Sequence, residues 1–328
     1  MSGVILTALP RASALLLLIV AFCAGPGVAQ SSSDEGAPFL LLPVGADAVG
    51  VGRAVTALPG QESVFWNPAG LASLEQSRFV LARGDVQVAT STAVSALFAR
   101  RGVGALGISY LLLDAGDQEY RDRDDNLTGT ISIRNHLAVV STAARLLPGL
   151  DVGANFKLVQ EHLSCRGMCL GFGSTSTTFA VDAGAQFQWS DDVPLRLGVL
   201  VAHLGPRFQL ENASQADPLP TRIRIGMAYD LLRRLGTPGL EGWLSAEVQD
   251  RPGYQGGTSM HVGFQLAAGR TDALFVRAGY VSDADQPGGP SVGLGLRFEQ
   301  FFLSFAKSLA VTGMGETEPL NVSFAIRL

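Results

Sequence analysis

Cys165 and Cys169 are the residues of this chain whose type and spacing most directly suggest chemistry. In an oxidising compartment two cysteines so close in sequence pair as a local loop clip. As half of a zinc site they lack a second pair, and His136, His162, His203 and His261 are scattered, so no metal is expected. Gly102, Gly104 and Gly107 have the spacing of a dinucleotide-binding loop. They open an alternating run, however, instead of joining a strand to a helix. The acids Asp114, Asp117, Glu119, Asp122, Asp124 and Asp125 crowd one polar stretch, 114 to 129, without EF-hand spacing, and read as a solvated loop. H-E-x-x-H does not occur. No catalytic residue and no cofactor is expected, and the chain does not read as an enzyme.

Charge and hydropathy narrow the class further. With 24 basic against 29 acidic residues there is no basic surface to hold nucleic acid. Residues 1–29 read as a cleaved secretory signal, with Arg11 before an apolar run from Ala14 to Ala24 and the small residues Gly27, Val28 and Ala29 at the cleavage site. Phe22 stands where a lipidated Cys23 would need a small residue, so cleavage after Ala29 is the expectation. The remainder is apolar for a soluble protein, yet it contains no run of the roughly 18 to 20 apolar residues that a spanning helix needs. Its apolar surface must be packed in a core or shown to lipid by a barrel.

The elements that carry these residues alternate with period two. In the stretch 291 to 299, Val292, Leu294, Leu296 and Phe298 oppose Gly293, Gly295, Arg297 and Glu299; residues 176 to 189, 221 to 233 and 319 to 328 behave alike. Turn residues divide 75–328 into about fourteen such strands, most near the ~10 residues of a tilted bilayer-crossing strand. Long and tight connections take turns along the chain, which suits a transmembrane barrel with short turns on one rim and long loops on the other. Trp189, Phe298 and Phe301 fall beside the tight turns, as an interfacial aromatic girdle would. The charges on the small face cannot face hydrocarbon cheaply. Lys157, Asp182, Arg196, Arg222, Arg224, Arg277, Arg297 and Arg327 are therefore expected to line the lumen, pairing across it or with a plug.

Residues 38–74 do not alternate. A small-residue run containing Gly45, Gly50 and Gly52 leads to Phe65, Trp66, Asn67, Pro68, Ala69, Gly70 and Leu71. Small residues permit close packing, Asn67-Pro68 sets a turn, and the two aromatics offer an anchor, so the segment suits a hatch inside the lumen. Residues 30–37 read as a short flexible lead into it. This glycine-rich run and the Phe-Trp-Asn-Pro-Ala-Gly-Leu element resemble the N-terminal pattern of the PorV/PorQ family of outer-membrane proteins, relatives of the FadL-type transporters. Gly153 to Lys157, Asp182 to Gly184, Leu195 to Gly198, Leu204-Gly205 and Leu219 to Thr221 fall in the order of that family. The resemblance implies an all-β outer-membrane barrel of Gram-negative bacteria, fourteen-stranded with an N-terminal hatch and inserted by the barrel-assembly machinery among outer-membrane lipid. It implies either passage of hydrophobic small molecules or a type IX secretion role, binding or anchoring cargo with secretion-system proteins. A structural barrel without transport is the third reading.

Overall fold

The computed structural model describes residues 35–328, apart from 87–88, 170–172, 191–192, 209–215, 253–256, 283–287 and 310–319. The expected signal at 1–29 lies outside the described residues. Fourteen antiparallel strands run β1 Arg78–Val86, β2 Ala89–Arg100, β3 Gly104–Arg121, β4 Leu127–Leu147, β5 Leu150–Gly167, β6 Ser174–Gln188, β7 Leu195–Leu204, β8 Arg222–Asp230, β9 Leu240–Asp250, β10 Ser259–Ala268, β11 Ala273–Ser282, β12 Gly289–Phe298, β13 Phe301–Ser308 and β14 Leu320–Arg327. Each pairs with its sequence neighbours, and β1 pairs with β14, so the sheet closes on itself without an edge.

The period-two pattern determines what faces where. On β12, Val292, Leu294, Leu296 and Phe298 are exposed outward while Ser291 is buried inward; on β14, Phe324 points out while Ser323 and Ala325 are buried. Leu106, Ile108, Val140, Phe156, Phe179, Ile225 and Leu274 extend the exposed belt around the barrel. A continuous apolar exterior around a polar or small-residue interior makes this a transmembrane barrel, because water does not tolerate such a belt and hydrocarbon does. Trp189, Phe298 and Phe301 are exposed beside the short turns.

One wall is taller than the rest. Strands β3 to β6 have 18, 21, 18 and 15 residues, against ~10 for a bilayer crossing, so they project past the rim that carries the long connections. This corrects the expected loop at 114 to 129. After a bulge between Asp114 and Asp117 the β3–β4 ladder continues to the pair Arg121–Leu127, and only residues 122–126 turn. Backbone pairing needs no apolar face, so a ladder in water is invisible to a hydrophobic period. Asp122 Oδ1 caps the turn, accepting from the Asp124 and Asn126 N–H groups, each at 2.9 Å. Those backbone donors hold the Asp122 carboxyl below its ordinary range. Gly102 lies in the β2–β3 turn and Gly104 opens β3, so the glycine spacing has no helix to serve.

Inside the barrel lies the non-alternating segment. It consists of 3-10 turns at Pro38–Leu41, Gln61–Val64 and Pro68–Ser73 and one short helix, α1 (Ala46–Gly50). The lead into it is not free. Gly36 N–H donates to Pro218 O, Ala37 is buried, and Glu35 pairs with Arg222 and Arg251, both at 2.8 Å. Packing against the barrel thus already includes Glu35 to Ala37, and the chain enters at the long-loop rim and leaves at the short-turn rim into β1.

Candidate functional site

The plug and the wall that receives it form the site, and Asn67 is its centre. Asn67 is fully buried; its Nδ2 donates to Thr56 O at 2.8 Å and to the strand carbonyls Ala185 O and Val199 O at 3.2 Å. Its Oδ1 accepts from Ala69 N–H at 3.2 Å, which caps the turn that Pro68 opens. The wall makes room with Gly184, where a Cβ would sit 2.0 Å from Asn67 Oδ1. Gly279 yields to the backbone of Gly52 in the same way, and Gly52 itself has φ +62°. Trp66, buried, donates from Nε1 to Val44 O at 2.9 Å and lies under the Arg224 guanidinium at 4.9 Å. Phe65 packs on the apolar core with Leu71. Ala69 and Gly70 are buried in the same turn.

Glu62 closes the other end of the plug. Its carboxyl accepts from Asp47 N–H, Ala48 N–H and the Ser323 hydroxyl at 3.2, 3.0 and 2.6 Å, while Ser323 Oγ accepts from Ala46 N–H. The carboxyl fills the space beside Gly45, where φ is +95° and a Cβ would meet it at 2.1 Å. Burial, then the neighbouring Asp47, pushes Glu62 up to about 8 against those donors. Gly50 lies against Arg277 and Gly293.

The lumen charges divide into two groups. Lys157 and Asp182 are buried and pair at 2.6 Å; Asn155 Nδ2 and the His203 N–H also donate to Asp182. This knot sits at the bulge between β6 and β7, where Asp182 interrupts the register and His203 has φ +61°. Arg222 pairs with Glu35, Arg224 with Glu247 at 3.5 Å and Arg277 with Asp47 at 2.9 Å. Among the described residues the second group, at the short-turn rim, has no such ion pairs. Arg196 stacks on Trp243, Arg297 donates to the carbonyls of Thr271 and Arg270, and Arg327 donates to Glu299 O.

Apolar side chains also face inward, and on one sector they cluster with the plug. Leu111, Leu113, Leu137, Val139 and Val159 of β3 to β5 are buried against Phe39, Leu40 and Leu71 of the plug and Phe208 and Leu219 of the β7–β8 connection. Below the plug, at the short-turn rim, a cavity of about 320 Å³ opens among Trp66, Arg78, Arg196, Trp243, Phe275 and Phe302.

Cys165 and Cys169 are joined by a disulfide with Cα atoms 6.1 Å apart. The expected loop clip needs correction in one respect: Cys165 pairs with Ile131 in the β4–β5 ladder, so the bridge ties the end of a strand to the turn after it. Among the described residues no three His, Cys, Asp or Glu side chains converge as a metal site. Sequence reasoning gave no role to Glu62, Asn155 or Ser323, although Asn155 and Asp182 both lie in the segments that carry the resemblance, whereas Glu247 was expected among the lumen charges and is buried there beside Arg224.

No protein-family model matches the sequence, and no curated protein matches it. The fold is shared with solved channels. The chain is similar to the CymD monoaromatic hydrocarbon channel (TM-score 0.62, 12% identity, 87% of this chain and 97% of that one). It is similar also to the Ralstonia pickettii toluene transporter TbuX (0.58, 14%, 87% and 98%) and to a Pseudomonas aeruginosa FadL homologue (0.54, 10%, 87% and 99%). At these identities the likeness is one of fold alone, that of a closed antiparallel barrel, which in this chain has fourteen strands.

Proposed function

We propose that this chain is a non-enzymatic outer-membrane barrel of the FadL-like superfamily that passes hydrophobic small molecules, with the segment 35–74 as the plug that holds its lumen shut. The observation that carries this reading is the apolar sector of the lumen, Leu111, Leu113, Leu137, Val139 and Val159, packed against the plug. A water-filled porin lines its lumen with polar groups, whereas an inward apolar stripe beside a displaceable plug offers a dehydrated path to an apolar solute. The solved hydrocarbon channel and toluene transporter that share its fold add to it.

The test pairs two measurements. In planar bilayers the intact protein should give no steady conductance, and a variant lacking residues 38–74 should give large steady steps while its barrel still migrates as a folded, heat-modifiable band. In cells with a lipopolysaccharide-coated membrane, the intact protein should accelerate uptake of a labelled neutral aromatic hydrocarbon several-fold over cells without it. Equal uptake in both would refute transport. Steady conductance of the intact protein would refute the plug.

A secretion-associated reading of the PorV/PorQ type draws on a different observation, the projecting wall of β3 to β6 with its disulfide-clipped edge, a polar surface of a kind that meets protein. Crosslinking from Arg123 or Arg166 to an exported protein, together with no effect on hydrocarbon uptake, would favour that reading.

A further inference from the structure

The arginines at the short-turn rim and the aromatics beside them form a continuous arc. In wall order, Arg196 (β7) stacks on Trp243 (β9) at 5.2 Å, Arg297 (β12) and Arg277 (β11) flank Phe275 (β11) at 5.8 and 5.1 Å, and Arg78 (β1) lies over Phe302 (β13) at 4.9 Å. All of them line the cavity of about 320 Å³ under the plug. Arg277 is committed to Asp47. No ion pair holds Arg78, Arg196 or Arg297 among the described residues, and the buried Nε of Arg78 and of Arg196 has no hydrogen-bond partner. The acids nearby have their own donors: Glu62 accepts from α1 and Ser323, and Glu241 accepts from Trp243 Nε1 at 3.3 Å. Arg78 Nη1 donates to Gln61 Oε1 at 3.0 Å, and Arg297 gives its Nε and Nη2 to backbone carbonyls. The open donors are therefore the Nε atoms of Arg78 and Arg196, and buried donors left open beside aromatic faces are costly unless something fills them.

We propose that this cavity is a binding site for planar aromatic monocarboxylates, whose carboxylate takes the guanidinium groups of Arg196, Arg297 and Arg78 and whose ring lies against Trp243, Phe275 and Phe302. A guanidinium fork matches the planar carboxylate, and charge-assisted bonds of this kind are the stronger ones. The volume, at the low end for small-molecule pockets, suits a bicyclic acid. An inorganic anion lacks the ring and a neutral hydrocarbon lacks the charge, so neither uses the whole arc. The site is one of equilibrium binding and stands whether or not the barrel conducts.

The test is calorimetric titration of the full-length protein in non-ionic detergent with 2-naphthoate, 2-naphthylmethanol and inorganic phosphate. Naphthoate should bind saturably at one site, and the other two at least tenfold more weakly. R196Q and R297Q should each weaken naphthoate about tenfold, in line with the loss of one charge-assisted hydrogen-bonded partner. W243L, which keeps every charge, should weaken it while leaving phosphate unchanged. R121Q, on the distant projecting hairpin, should change nothing. Each variant is first checked for the heat-modifiable band of a closed barrel. Absence of saturable naphthoate binding, equal binding of the three probes, or wild-type affinity in folded R196Q and W243L would overturn the proposal.

Discussion

Asn67→Ala is the substitution that most directly separates the plug from the barrel around it. The change removes a fully buried amide that donates to three carbonyls and accepts from Ala69 N–H. Thr56 O keeps a second donor, Gln186 Nε2 at 3.0 Å, so its loss is small. Ala69 N–H is left without a side-chain acceptor in a buried turn, and an orphaned group costs roughly 1 to 3 kcal/mol. Adding about 1 kcal/mol for the bonds to the strand carbonyls gives roughly 2 to 4 kcal/mol against the docked plug. At about 1.4 kcal/mol per decade that raises the undocked population by roughly 30- to 1,000-fold. The barrel ladder is untouched, since no strand pair depends on Asn67. Single-channel recording reads the open fraction, and the heat-modifiable gel band reads the barrel. Asn67→Asp sharpens the test: it loses the donors and sets a carboxylate against the same carbonyls, so it should open the lumen more often than Asn67→Ala. If both variants stay as closed as the parent with folded barrels, or if the aspartate variant is the tighter of the two, the reasoning from these hydrogen bonds is wrong.

Gly184→Ala places a methyl 2.0 Å from Asn67 Oδ1 and should also favour the undocked plug; combined with Asn67→Ala, which removes the obstruction, the effects on open fraction should be clearly less than additive. The Glu62 carboxyl, at about 8 in the folded chain against an ordinary 4.5, keeps its proton in the docked plug at pH values where the undocked chain has lost it. Docking should therefore weaken as pH rises from about 5 through 8 and level off above, and Glu62→Gln should flatten that dependence in recordings across this range. Replacing Cys165 and Cys169 by Ser should leave the closed barrel intact and make the β5–β6 tip more open to limited proteolysis, read by mass spectrometry; loss of the heat-modifiable band would show that the clip is needed for assembly.

The alternation of residues such as Val292, Leu294 and Leu296 against Gly293, Gly295 and Arg297 was enough to place strands and to say which face meets lipid, because a two-faced strand in a bilayer must separate its side chains by polarity at every step. The same logic failed at Asp117 to Arg121, where both faces of the hairpin meet water and the ladder is held by backbone bonds that leave no trace in hydropathy. Asn67 and Pro68 could be read as a turn, and Gly184 as one glycine among many on a small face; that one fits around the other is a fact of three-dimensional packing between segments more than a hundred positions apart. The lumen charges show the same division. Their inward direction follows from the cost of placing an arginine in hydrocarbon. Which of them find a carboxylate, as Arg222 finds Glu35 and Lys157 finds Asp182, and which are left facing aromatics, as Arg196 faces Trp243, is decided only when closure of the sheet and entry of the plug set the distances between strands.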